Sequence, residues 1–203
     1  MSSTKRGYDR HANDKYFTPR WLADEAAEIV KRYIPTANLS RSLPPGGRMN
    51  ILEPAVGSGV IVQALNESLN CDGIVANVEH FDLDPTDGFD TVKQDFFEFS
   101  KTGWDVIITN PPYRLAQEFV EHSLSLVKEG GVVMMLLRLN FLGGQKRRHW
   151  HWAHMPESIY VTPKRPKFFG VKGTDSCEYA WFVWRRGINN DYAKTYVLDT
   201  GNK

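Results

Sequence analysis

The chain has 203 residues, 41% of them hydrophobic and 12% aromatic, enough apolar material for one domain with a real core and against disorder as the default. Its 25 basic and 24 acidic side chains nearly cancel, so overall charge singles out no nucleic-acid partner and any electrostatic footprint has to be local. Two cysteines, Cys71 and Cys177, stand far apart in no metal-ligand spacing, which argues for free thiols in a reducing compartment and against zinc.

Residues 1–15 are polar and charged with no apolar signal core, and no later stretch is apolar for the length of a membrane helix. They predict a mobile N-terminal lead on a soluble, intracellular protein. Thr18 offers an N-cap and Pro19 a first helical position, after which Leu22, Ala26, Ile29, Val30 and Tyr33 repeat at helical spacing until Pro35. Pro44, Pro45, Gly46 and Gly47 mark the stretch to Arg48 as a loop. A short strand over Met49–Leu52 then leads to a helix from Ser58, with Ile61, Ala64, Leu65 and Leu69 on one face. Strands follow at Ile74–Phe81, before Gln94 and at Trp104–Thr109, with too few residues between the first two for a helix. A helix carrying Ala116, Phe119, Val120, Leu124 and Val127 inward is expected to stop at Gly130 and Gly131. Val132–Leu137 reads as a strand buried on both faces. Glu157–Val161 and Glu178–Trp184 suggest a final strand pair. This alternation predicts an α/β fold, a mostly parallel doubly wound sheet with an antiparallel strand pair at the C-terminal end. It occupies residues 16–186, with 187–203 as a tail.

The strand at Asp105–Thr109 stops at once in Asn110, Pro111, Pro112, Tyr113. Proline cannot feed a central ladder, and two in succession lock the backbone, so the Asn110 amide and nearby carbonyls are presented rigidly at a strand's carboxyl end. Open α/β sheets place their chemistry there. The first strand likewise runs into a glycine-bearing turn, Glu53, Pro54, Ala55, Val56, Gly57, Ser58, Gly59. Val62 stands where a dinucleotide fold wants a third glycine, and Glu53 would repel phosphate.

The string NPPY after a strand resembles motif IV of the S-adenosylmethionine-dependent DNA N6-adenine methyltransferases, and the glycine turn resembles their motif I. The resemblance implies a Rossmann-like class I methyltransferase domain and S-adenosyl-L-methionine as cofactor. A cationic sulfonium with a free amino group suits the acidic turn, with Gly57 and Gly59 allowing close backbone approach. Asp82 aligns with the family's ribose-binding acid, although Asp84 offers a second carboxylate and either also fits a solvated turn before Pro85. Asp95 and Phe96 resemble the pair that recognises the cofactor's adenine; an N-capping Asp with a core Phe is the alternative. Tyr16, Phe17, Thr18, Pro19 resembles the N-terminal motif that helps hold the methionine end, and an ordinary N-cap explains Thr18 and Pro19 equally. The implied cofactor set is therefore Tyr16, Thr18, Pro19, Glu53, Pro54, Gly57, Gly59, Asp82, Asp95, Phe96 and Asn110.

In the family's chemistry, Asn110 and the Pro111 carbonyl accept the two hydrogens of the target amine, Pro112 stiffens the turn, and Tyr113 stacks on the base once it leaves its helix. Lys146, Arg147, Arg148 and Trp150, with Arg165 and Lys167 opening a second loop beside Phe168 and Phe169, are candidate nucleic-acid contacts; tryptophans anchored in the core are the alternative. Ser176 has no partnered histidine motif, and the histidines near Trp150 lack metal spacing. Glu178–Trp184 is similar to small phage-type members, which implies the cytoplasm of a bacterial or phage-infected cell. DNA is the expected partner, without membrane or metal. RNA adenine, a protein glutamine, or binding without catalysis are the rival readings.

Overall fold

The computed structural model describes residues 16–34, 48–168 and 176–199. The expected mobile lead, the loop residues 35–47, and Phe169 lie outside them. Helix α1 (Arg20–Tyr33) is followed by β1 (Met49–Glu53), α2 (Val60–Cys71), β2 (Ala76–Asp82), β3 (Val92–Lys93), β4 (Trp104–Thr109), α3 (Ala116–Leu126), β5 (Val127–Arg138), the short α4 (Arg148–Ala153), β6 (Ser158–Val161), β7 (Tyr179–Arg185) and β8 (Lys194–Val197). Eight strands form one sheet in the order β3-β2-β1-β4-β5-β7-β6-β8. Strands β1 to β5 pair in parallel, β7 is antiparallel to both β5 and β6, and β6 is parallel to β8. Inserting reversed β7 between β5 and β6 leaves it the one reversed strand among those described.

Alternation along the strands makes two cores, because successive side chains leave opposite faces of a sheet. Ile51, Val106, Ile108, Met134, Leu136 and Trp181 pack with α1 and α2 on one face. Leu52, Ile107, Val133, Met135, Leu137 and Phe182 pack with α3 on the other. The chain leaves β1 for β2 on one side and reaches β4 on the other, so their carboxyl ends diverge into a crevice at this switch point.

Three expectations are corrected. Thr18 caps no helix: α1 begins at Arg20, and the Pro19 carbonyl accepts from the N–H groups of Leu22 (3.0 Å) and Ala23 (3.2 Å). Gly130 and Gly131 do not stop α3, which ends at Leu126; Val127 is extended and pairs with Trp104, and the glycines lie in the irregular start of β5. A Cβ on Gly131 would stand 2.8 Å from the Lys128 carbonyl oxygen, so this bulge requires glycine. The segment 187–199 is no tail throughout, because β8 extends the sheet against β6. Its residues are all exposed, so no alternation announced it.

Candidate active site

A cleft of about 190 Å³ opens at the carboxyl ends of β1, β2 and β4. Of the expected cofactor residues, Tyr16, Pro54, Gly57, Asp82, Asp95, Phe96 and Asn110 line it. Thr18 and Glu53 line a smaller cavity that shares Tyr16, Gly57 and Asn110 with the cleft. Pro19 and Gly59 line neither.

The glycine turn is shaped by two positive-φ residues that serve different ends. Gly57 (φ +53°) faces the cleft, and a Cβ there would press 3.2 Å from the Phe17 ring. Gly59 (φ +77°) precedes α2 and carries the Phe89 ring where a Cβ would stand, at 2.2 Å, so it is a packing glycine. The Gly57 N–H donates to Asp82 Oδ2 at 2.9 Å, and the Asp84 N–H donates to Asp82 Oδ1 at 2.9 Å. Asp82 thus ties the turn after β1 to the turn after β2. Each carboxylate oxygen keeps further acceptor capacity. Asp84 is exposed and lines the same cleft.

Glu53 is 1% exposed, and its Oε2 is buried without a hydrogen-bond partner. Burial pushes its carboxyl well above the ordinary carboxylate range; the nearby Thr109 hydroxyl opposes the shift and the Asp82 charge adds to it.

Asn110 follows β4. Its Nδ2 donates to the Tyr16 carbonyl at 2.8 Å and to Thr18 Oγ1 at 3.1 Å. A carbonyl only accepts, so the amide nitrogen must face Tyr16 and Oδ1 must face away. Oδ1 accepts from the Tyr113 hydroxyl at 3.0 Å. The Tyr113 ring is stacked on Tyr16 (centroids 5.4 Å apart), tilted against Tyr179 (5.6 Å) and 4.9 Å from the Arg138 guanidinium carbon. A base stacking on Tyr113 therefore meets an already furnished ring. Pro111 is buried, and Pro112 lines the cleft.

Asp95 does what an N-cap does: its Oδ1 accepts from the Phe97 N–H at 2.9 Å, starting a single 3-10 turn. Phe96 reaches the cleft wall but is 3% exposed, packed against Phe81, Phe119 and His122. The neighbouring Phe97, 42% exposed, also lines the cleft. Phe17 of the N-terminal motif lines the cleft, and sequence reasoning missed Phe97, Leu83, Arg114 and Leu115 as lining residues. All but Leu115 sit beside residues it did select, and a capped turn after Asp95 was the available signal that Phe96 and Phe97 diverge.

The segment after β5 is a short helix preceded by turns. Arg147 donates to the carbonyls of Phe141 (3.2 Å) and Gly143 (2.9 Å) and lies over the Phe141 ring, so its guanidinium clamps the loop. Trp150 is a half-buried anchor, bonded to Glu121 and stacked on His154 at 4.8 Å. His151 is buried, its Nε2 2.9 Å from the Phe141 carbonyl, and burial lowers its pKa. Arg148, His149 and the 66% exposed Trp152 form the outward face, with Arg148 over the Trp152 ring. Helical spacing between 148 and 152 was the signal for Trp152. Lys146 and Lys167 are exposed, Arg165 is ion-paired with Glu178, and Phe168 is core, packed on Tyr16 and Tyr179. Of these cations, Arg147 lines a cleft together with Arg114 and Arg138, and the others do not line it. Among the described residues no group of three or more His, Cys, Asp or Glu is placed to hold a metal ion, and no helix is long and apolar enough to cross a membrane.

No protein-family model matches the sequence, and no curated protein is significantly similar to it. Solved structures are similar in fold. One is a protein from Listeria monocytogenes assigned as a class I S-adenosylmethionine-dependent methyltransferase, with 14% identity and a TM-score of 0.67 over 90% of this chain and 65% of that one. A second, assigned as an RNA methyltransferase of Pyrococcus horikoshii, has 14% identity and a TM-score of 0.61 over 92% and 95%. The M protein of the type I restriction enzyme EcoKI has 15% identity and a TM-score of 0.52 over 91% of this chain and 47% of its own. The fold is thus the Rossmann-like fold of class I methyltransferases.

Proposed function

We propose that this chain is an S-adenosylmethionine-dependent methyltransferase that acts on the N6 amine of adenine in DNA. The orientation of Asn110 carries the reading: an amide held by Tyr16 and Thr18 with its oxygen directed away, at the rim of the cleft where the carboxyl ends of the strands meet. Support for the cofactor comes from the shared fold and from the cleft's chemistry. Asp82, Asp84 and Asp95 make an acidic wall for a cationic sulfonium, and Gly57 keeps the backbone bare of Cβ. The orphaned Oε2 of Glu53 in the adjoining cavity suits an ammonium donor.

Bound there, the cofactor would supply an electrophilic methyl group. The adenine amine is a poor nucleophile because its lone pair is delocalised into the ring. Asn110 Oδ1 and the Pro111 carbonyl would accept its two hydrogens, which favours a tetrahedral nitrogen with a lone pair to share. Tyr113 takes one acceptor site of Oδ1 and leaves the second for the amine. Orientation and fixed dipoles then supply the rate enhancement, with no strong base. Thr18 acts as a positioning residue in this scheme, because it steers the Asn110 amide.

The test is transfer of labelled methyl groups to DNA, RNA and protein in parallel, with nucleosides and peptides resolved by mass spectrometry. N6-methyladenine from DNA is expected. Methylated RNA or glutamine as the sole product supports a rival, and cofactor binding without transfer to any substrate supports the binding-module reading.

A further inference from the structure

A second cleft, of about 340 Å³, lies against the same turn and has the opposite chemistry. Its wall includes Tyr113, Arg114, Arg138, Asn140, Phe141 and Arg147, with no carboxylate among the described residues. The two clefts share Arg114, and the turn divides them: Asn110 faces the acidic one and Tyr113 the basic one. We infer that the basic cleft is a binding site for a phosphodiester of the nucleic acid, beside the nucleotide whose base reaches Asn110.

Two of the three cations, Arg138 and Arg147, are held in place before any ligand arrives. Arg138 ends β5, donates from Nε to the Tyr179 hydroxyl at 3.0 Å, and holds its guanidinium over the Tyr113 ring. Arg147 is pinned by loop carbonyls and contributes fixed charge. Arg114, exposed, stands on the rim. A base presented to Asn110 carries its own phosphodiesters with it, and they must pass close to this turn. A preorganised guanidinium pocket is matched to phosphate oxygens. An acidic peptide would need the same charge, but it would leave the base-directed aromatic turn without a role.

The inference rests on the methyltransferase reading above, and the experiment separates the two. Binding of a fluorescent, adenine-containing duplex and its single strand to the full chain is measured against salt for wild type, Arg114→Gln and Arg138→Gln. Thermal unfolding and cofactor calorimetry are run alongside. Each variant is expected to lose about tenfold in nucleic-acid affinity and about one unit of salt slope, and in Arg138→Gln, which lies outside the cofactor cleft, cofactor affinity stays unchanged. Neutral methylphosphonate beside the methylated adenine should weaken wild type and have little further effect on Arg114→Gln. If Arg138→Gln loses its fold, the exposed Arg114 carries the test alone. DNA methylation by wild type with unaltered slopes in the folded variants overturns the site and leaves the activity standing. A loss of cofactor affinity in Arg114→Gln without a change in slope assigns that residue to the acidic cleft and likewise overturns the site. Methyl transfer to protein alone, with no salt-dependent nucleic-acid binding, overturns both.

Discussion

At the Asn110 turn the decisive side chains are held by residues far away in the chain. In the segment 146–152 they are held mostly by neighbours. Asn110 is oriented by Tyr16 and Thr18, more than ninety residues earlier, and Asp82 by the Gly57 turn. Arg147, by contrast, spends its donors on carbonyls four to seven residues away, and Trp150 stacks on the next turn of its own segment. Distant elements that converge polar groups on an enclosed space mark a site, because nothing in local folding requires that convergence. A local run of cations and aromatics describes first how a loop closes, and only its outward remainder, here Lys146, Arg148, His149 and Trp152, is open to a partner.

The largest effect is expected where convergence is densest. Asn110→Ala should reduce methyl transfer by about a hundredfold or more while cofactor binding, measured by calorimetry, stays close to wild type. Near-normal single-turnover rates would break the comparison at its stronger end.

In the other region, Trp150→Ala should cost about 2 kcal/mol of folding stability, as a half-buried aromatic anchor. Trp152→Ala should stay within about 0.5 kcal/mol and lower nucleic-acid binding instead. Denaturant unfolding beside anisotropy titration checks both, and an exchange of the two phenotypes would reverse the assignment of inward and outward faces.

Thr18 comes next in expected size of effect. Thr18→Val keeps the shape and removes the acceptor, so kcat should fall about tenfold with KM and cofactor affinity little changed, and Thr18→Ser should restore it. A fall in cofactor affinity as the main effect would return Thr18 to the role of a cofactor contact.

The smallest effect is a pH dependence. Glu53 in the folded protein titrates well above the ordinary carboxylate range because of its burial. The folded state therefore holds a proton that the unfolded chain has already released. Stability from this group is complete below the ordinary range and is lost as pH rises towards the raised folded value. Glu53→Gln should flatten that decline, raising Tm at pH 8 more than at pH 5. Equal shifts at both pH values would show that Glu53 does not titrate in this window.

Sequence alone determined the features governed by local rules. Two prolines after an apolar run had to end β4, glycines had to supply the positive φ of the turn after β1, and alternation along β4, β5 and β7 had to divide a sheet's two faces. The spacing between β2 and β3 had no room for a helix. These are steric and periodic constraints that act within a few residues. Tertiary structure decided what depended on partners brought from elsewhere. It made Thr18 an acceptor for Asn110 rather than a cap, turned Phe96 into the core and Phe97 into the cleft, ended α3 at Leu126 because Val127 pairs with Trp104, and recruited the exposed Lys194–Val197 as a strand because β6 offered an open edge. It also gathered three arginines from the turn, β5 and the following loop into one basic cleft. Their charges meet only across the fold, and no spacing in the chain encodes a distance through space.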